Sequence, residues 1–150
     1  METAVDIKFA DGEYRCWLPL PQIFELERNC GDVSILILEE RMRMAIGQEP
    51  ETGEFVFTGG GAAMTKDIRE TIRLGLIGGN HAITDAGQIE VGPLKAKDLV
   101  DAYVYPARPL GEGLVIAWRI LSAAVFGVQL KKKASAAPAK PRSRSKKVEQ

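Results

Sequence analysis

Apolar and polar residues alternate at the start of the chain and then settle into helical spacing. Val5-Asp-Ile-Lys-Phe9 has the two-residue period of a half-buried strand, and Tyr14-Arg-Cys-Trp-Leu18 repeats it. Asp11-Gly12 between them is a hairpin turn signal. The pattern predicts an N-terminal β-hairpin with Val5, Ile7 and Phe9 on its inner face. The second strand turns either Tyr14, Cys16 and Leu18 or Arg15 and Trp17 inward, and the first set avoids burying a charge.

From Pro21 the period lengthens. Pro21 suits the first position of a helix, with Ile23, Phe24 and Leu26 as its apolar stripe and Gly31 as its C-terminal stop. A second helix is predicted from Ser34, carrying Ile35 to Leu38, Met42 and Ile46 and stopping at Gly47, with Arg41 and Arg43 on its wet face. Residues 47–63 break the rhythm: Pro50, Thr52 and Gly53 mark a turn, Glu54–Thr58 reads as a short strand, and Gly59-Gly-Gly61 as a joint. A third helix starts at Thr65 as N-cap, gains from Asp67 in its first turn, and stacks Ile68, Ile72 and Leu76 beside Thr71 and Gly75. Gly78-Gly-Asn80 ends it, and His81 falls in a glycine-rich turn. Pro93 opens a fourth helix with Leu94, Leu99, Val100 and Tyr103 as core candidates, broken by Pro106 and Pro109.

The last helix differs from the others because it is apolar nearly all round. Leu114, Trp118, Leu121, Val125 and Val128 form one stripe and Ile116, Ile120, Ala123 and Gly127 a second, interrupted by Arg119 and Ser122. Such a helix is enclosed by its own domain, covered by a partner, or in a membrane. Leu114 to Leu130 followed by Lys131, Lys132 and Lys133 imitates a short spanning helix with a positive flank. It falls short of the roughly 20 apolar residues a span needs, and Arg119 near its centre would cost about 2.5–3.5 kcal/mol. The reading is therefore a soluble helix, with Trp118, Leu114, Leu121, Val125 and Val128 as candidate partner-interface residues.

Charge is distributed unevenly. The chain has 20 basic and 20 acidic residues, but residues 1–130 hold 12 basic and 19 acidic, a net of −7, and residues 131–150 hold eight basic and one acidic, a net of +7. The last 20 residues contain one valine and no larger apolar side chain, so they are expected to be a disordered basic tail on a single globular domain at 1–130. The basic tail invites a nucleic-acid reading, with salt-dependent and sequence-independent affinity. It has no aromatic residue for base stacking, and the body it extends is acidic, which argues against that reading. The N-terminus has neither the basic nor the apolar stretch of a secretory signal, so a cytoplasmic protein is expected. Two cysteines, Cys16 and Cys30, read as thiols rather than a disulfide framework.

Chemistry is sparse. His81 is the one histidine, so no zinc set and no Ser-His-Asp or Cys-His set stands out. Gly59-Gly-Gly-Ala-Ala-Met-Thr-Lys66 lacks the order of a phosphate loop. The acidic neighbours Glu39-Glu40 and Glu49/Glu51 read as solvated. These absences predict a non-enzyme with no cofactor, no metal and no small-molecule substrate.

The order of parts resembles one family. A short hairpin leads into Leu18-Pro-Leu-Pro-Gln-Ile-Phe-Glu-Leu-Glu27, then Gly31-Asp-Val-Ser-Ile35, then Asp67-Ile-Arg-Glu-Thr-Ile-Arg-Leu-Gly-Leu-Ile-Gly-Gly79, and finally Arg108-Pro-Leu at the head of a helix ending Ala-Ala-Val-Phe-Gly127. Over residues 5–128 this resembles the gene transfer agent family of small phage tail proteins, which are classed with the tail assembly chaperones. The resemblance implies a non-catalytic role in a bacterial host cell, with the tape-measure protein (a long helical rod) and the tail tube protein as partners. Residues 47–63 and the basic tail look like additions to the family pattern. Some such chaperones are extended by ribosomal frameshifting near the C-terminus, and Lys131–Lys133 is where adenine-rich lysine codons would allow it. Alternatives are a structural tail tube or tail completion component, or a small nucleic-acid-binding adaptor using the tail. The expected fold is α+β: the hairpin, one added strand and about five helices, mostly helical. The pattern leaves self-association open.

Overall fold

The computed structural model describes residues 1–129. The expected basic tail at 131–150, including Lys131, Lys132 and Lys133, lies outside the described residues, as does Leu130. The described chain runs β1 (Val5–Phe9), β2 (Gly12–Cys16), α1 (Leu20–Asn29), α2 (Ile35–Arg43), β3 (Ile46–Gln48), β4 (Phe55–Phe57), α3 (Thr65–Gly79), β5 (His81–Thr84), β6 (Gly87–Ile89), α4 (Pro93–Tyr103) and α5 (Leu110–Phe126). It is the α+β arrangement that the pattern predicts, with the hairpin and five helices.

The hairpin forms for the expected reason. Ile7 and Phe9 of β1 and Tyr14 and Cys16 of β2 are buried, with Leu18 beyond, while Asp6, Lys8, Glu13 and Arg15 take the other face. Excluding the charge decided the inner face. The phenol of Tyr14 donates to Asp11 in the turn, 2.5 Å away.

Two hairpins were not resolved by the pattern. His81 is not in a turn: it opens β5, which pairs antiparallel with β2, and β6 follows to complete a four-stranded sheet in the order β1-β2-β5-β6. The left-handed residue Asn80 (φ 49°) stops α3 and leads straight into that strand. Ile46, expected on the second helix, begins β3, which pairs with β4 as a separate two-stranded ribbon. Helix α2 ends at Arg43, three residues sooner than its apolar spacing suggests, because the chain turns there to form the ribbon.

Helix α3 is the central element. Its buried face includes Ile68, Thr71, Ile72, Gly75 and Leu76, as expected. Its N-cap is Met64 rather than Thr65, and buried Asp67 accepts from the Met64 N–H at 2.9 Å and from Arg41 at 3.1 Å. Near its other end the helix lies directly on the β2 backbone. The Trp17 N–H donates to the Gly75 carbonyl, 3.0 Å away. A Cβ on Gly78 would stand 2.1 Å from the Trp17 carbonyl oxygen, and one on Gly79 1.9 Å from that of Arg15. Helix α5 crosses α3 at two further small positions, Gly75 under Ile120 and Gly113 against Ile68.

Other helix stripes are narrower than the pattern suggests. Phe24 of α1 and Leu94 of α4 were core candidates but are exposed (58% and 75%), and Leu36 and Ile37 of α2 also face out. Leu26 is the buried residue of α1, and Ala96, Leu99 and Val100 are those of α4. Ions complete the fastening of α1 to α3. Glu70 of α3 accepts from Asn29 at 2.8 Å and from Arg73, whose guanidinium also reaches Glu25 at 3.3 Å. The Arg73 hydrogen bond first, and Asn29 with it, hold the Glu70 carboxyl below its ordinary value against the opposing effect of burial.

Two predictions follow from this packing. Alanine would improve on glycine within a helix by about 1 kcal/mol on propensity alone, yet Gly79→Ala is expected to lower unfolding stability by about 3 kcal/mol through the clash with Arg15. Gly92→Ala, in open space with nothing within 4 Å, should stay within about 0.5 kcal/mol in the same denaturant titration. Glu70→Gln should cost about 1–2 kcal/mol at pH 7. Because the folded carboxyl titrates below its ordinary value, its contribution is complete above about pH 4.5 and disappears as the pH falls through the lower folded value. The two proteins' stabilities should therefore converge in acid, and a constant gap down to the acid limit would contradict the linkage.

Candidate protein-binding surface

Helix α5 explains its own composition. Gly113, Leu114, Ala117, Ile120, Leu121 and Ala123 are buried, and the helix packs on α3, α2, β1 and β4. Four neighbours leave little of its circumference for water. Among the described residues no helix is long and apolar enough to cross a membrane.

The candidate interface stripe is accordingly divided. Leu114 (5% exposed) and Leu121 (0%) lie in the core and have no outward face to offer a partner. Val128 lies beyond the helix, which stops at Gly127 (φ 79°), and it exchanges two backbone hydrogen bonds with Glu2. Val125 is half-buried. Trp118 is half-buried and well held: its indole Nε1 donates to Glu39 Oε2 at 3.1 Å, and the Phe55 ring meets it edge-on with centroids 4.9 Å apart.

Glu39 is the least expected part of this arrangement. Read as a solvated acid from the sequence, it is 1% exposed. Its carboxylate is satisfied by both Trp118 and Arg43, the latter at 3.0 and 3.2 Å. A buried carboxylate persists only when its oxygens are paired in this way. The arrangement ties α2 to α5 and fixes the indole on which the β3–β4 ribbon rests.

The ribbon carries one of several exposed apolar surfaces, the others including Leu20 and Phe24 of α1 and Leu36 and Ile37 of α2. Phe55 and Phe57, two residues apart on one strand, share a face and lie over α5. The Phe57 ring covers Gly111 so closely that a Cβ there would be 2.5 Å from it. Both phenylalanines remain about two-fifths exposed. Between ribbon and helix runs a groove of about 510 Å³, lined by Phe55, Val56, Phe57, Pro109, Gly111 and Val115, with Glu112 at its rim. It continues past Phe55 and Val115 into a hollow of about 410 Å³ bounded by Glu54 and Arg119. The ribbon and its turn carry Glu49, Glu51 and Glu54 and no basic residue.

Phe55 and Phe57 are the site residues that the last-helix pattern missed. The signal was present in Phe-Val-Phe, whose alternation puts two aromatic rings on one side of any strand. A separate cleft of about 540 Å³ beside the hairpin turn is lined by both signs of charge, with Lys8 and Arg108 against Glu13 and Glu112. Arg108 there reaches Glu112 at 3.7 Å and lies over the Tyr103 ring.

Elsewhere the geometry offers little reactive chemistry. Cys16 is buried and Cys30 half-buried, and both are free thiols. Burial pushes each thiol up to about 12, with the Asp67 carboxylate adding to the effect at Cys30. Neither is a thiolate at neutral pH. Among the described residues no group of three or more His, Cys, Asp or Glu side chains is placed to hold a metal ion. Comparison with protein-family models, curated proteins and solved structures finds no match to this chain.

The Trp118–Glu39 contact gives a direct test. In a Trp17→Phe background Trp118 is the sole indole emitter. Glu39→Gln keeps an acceptor for Nε1 and should cost about 1 kcal/mol. Glu39→Ala should cost about 2–3 kcal/mol and move the emission to longer wavelength as the indole loosens into water. Unchanged emission and stability in Glu39→Ala would show that the indole is held by its ring contacts alone.

Proposed function

We propose that this chain is a non-catalytic tail assembly protein of a phage or gene transfer agent. In this role it acts in the host cytoplasm as a chaperone for the tape-measure protein and the tail tube subunits. The observation that carries the reading is the α5–β4 groove. A chaperone for a long amphipathic rod needs an apolar channel with a charged rim. The groove provides Phe55, Phe57 and Val115 on its floor and walls, and Glu54, Glu112 and Arg119 at its margins. The order of sequence segments over residues 5–128 supports the same family independently of the groove.

The test is co-expression with the tape-measure protein of the same tail gene cluster. The full chain is expected to raise the soluble fraction of the tape-measure protein and to elute with it. Phe57→Ala should weaken that complex about 10-fold or more, the scale of one lost aromatic burial. Leu94→Ala, exposed on α4 away from the groove, should leave it unchanged. A tape-measure protein that is equally soluble without this chain would overturn the chaperone role. Stoichiometric retention of the chain in finished tails would favour the structural alternative.

A further inference from the structure

Strand β4 has one partner, β3, in the register Ile46↔Phe57, Gly47↔Val56 and Gln48↔Phe55. The ladder is extended at both ends, by Glu49 N–H donating to the Glu54 carbonyl and Thr58 N–H to that of Ala45, each at 2.8 Å. Because bonded and non-bonded positions alternate in an antiparallel pair, Glu54, Val56 and Thr58 direct their backbone groups toward β3. The N–H and C=O groups of Phe55 and Phe57 therefore point the other way. Among the described residues no backbone hydrogen bond reaches them.

This edge also lacks the usual protection. Charges on an edge strand discourage pairing with another chain. Of the two outer strands of the four-stranded sheet, β1 carries Asp6 and Lys8, while β6 (Gly-Gln-Ile) is uncharged like β4 but has no aromatic residue. Strand β4 reads Phe-Val-Phe and carries no charge.

We infer that a second copy of this chain pairs antiparallel with β4 about a two-fold axis through Val56. The two residues with outward backbone groups are symmetric about Val56, so the strand is complementary to itself. Phe55 exchanges both of its hydrogen bonds with Phe57 of the second copy, and Phe57 with Phe55, which gives four in all. Charge agrees with this register. Glu54 falls opposite Thr58 rather than opposite another acid. The two acidic turns at 49–51 lie at opposite ends, each beside the uncharged run 59–64 of the other copy. The interface is isologous and therefore closes at two copies. A three-residue strand is a small contact, so the dimer is a weak one with an affinity in the micromolar range. The pairing engages the backbone edge of β4 rather than the face that carries the Phe55 and Phe57 rings. The inference goes beyond the chaperone reading and does not need a client to be tested.

Sedimentation velocity of the full chain from about 1 μM to about 1 mM should show a monomer converting to a dimer. Val56→Lys and Val56→Glu each place like charges opposite each other at the axis and should remain monomeric over that range while keeping the native circular dichroism spectrum. An equimolar mixture of the two should recover the dimer, because lysine then faces glutamate. Val56→Thr should dimerise normally. The inference is overturned if the unaltered chain stays monomeric at the highest concentration, if Val56→Lys dimerises as strongly as the unaltered chain, or if the mixture stays monomeric. Loss of client solubilisation with dimerisation intact would count against the chaperone role alone.

Discussion

The fold depends on how closely α3 approaches β2. Gly78 and Gly79 let the end of the helix lie on the strand backbone, and the Trp17 N–H closes onto the Gly75 carbonyl at 3.0 Å. Larger residues would hold the helix a side chain's width farther off. At the observed distance α3 covers the inner face of the sheet and still leaves its opposite side free for α5, α4 and α1. Gly75 and Gly113 repeat the device where α5 crosses α3. The position of α5, and with it the groove, is therefore set by glycines in other elements as much as by the apolar residues of α5 itself. Interiors packed near crystal density transmit displacements of this size, so a shift of α3 would also move the wall of the groove.

Much of this was legible in the chain. The hairpin, the five helices and the inner set Tyr14, Cys16 and Leu18 come from local periodicity and from the cost of burying charge. Ser34 was legible as a helix start, and its side chain does accept from the Leu36 N–H. The β5–β6 hairpin was not. His81-Ala-Ile-Thr is too short to show a period, and it is a strand because β2 offers an edge for it to pair with. Tertiary pairing overrode local composition there. The exposure of Phe24 and Leu94 failed to show for the opposite reason: periodicity gives the faces of a helix but not how many neighbours it will find.

The candidate surface was legible only in part. An all-round apolar helix predicts something covering it, and the sequence alone could not separate a partner from the chain's own ribbon. Here the ribbon covers Trp118 and Gly111, and the core takes Leu114 and Leu121. The unmet apolar surface has moved outward by one layer, from the helix to the Phe55 and Phe57 rings that shield it. Glu39 was misread because its partners come from two helices. Arg43 is four residues away, but the Trp118 indole is 79 residues along the chain, beyond any local pattern.

The two hairpins also differ in how they end the sheets they belong to. β1 meets water with charged residues on its exposed face, a polar finish that gives a neighbouring chain little reason to bind. β4 has an aromatic face and unpaired backbone groups side by side, although the ribbon is held on α5 by a small set of contacts at Phe55 and Phe57. A free edge of this kind is costly to a cell when it is long, because it templates aggregation. At three residues it can give only a few hydrogen bonds, and the acidic turn beside it repels any stacking in which like ends meet. Length and charge together restrict the edge to one antiparallel neighbour at a time, which is the condition for a reversible contact rather than a growing one.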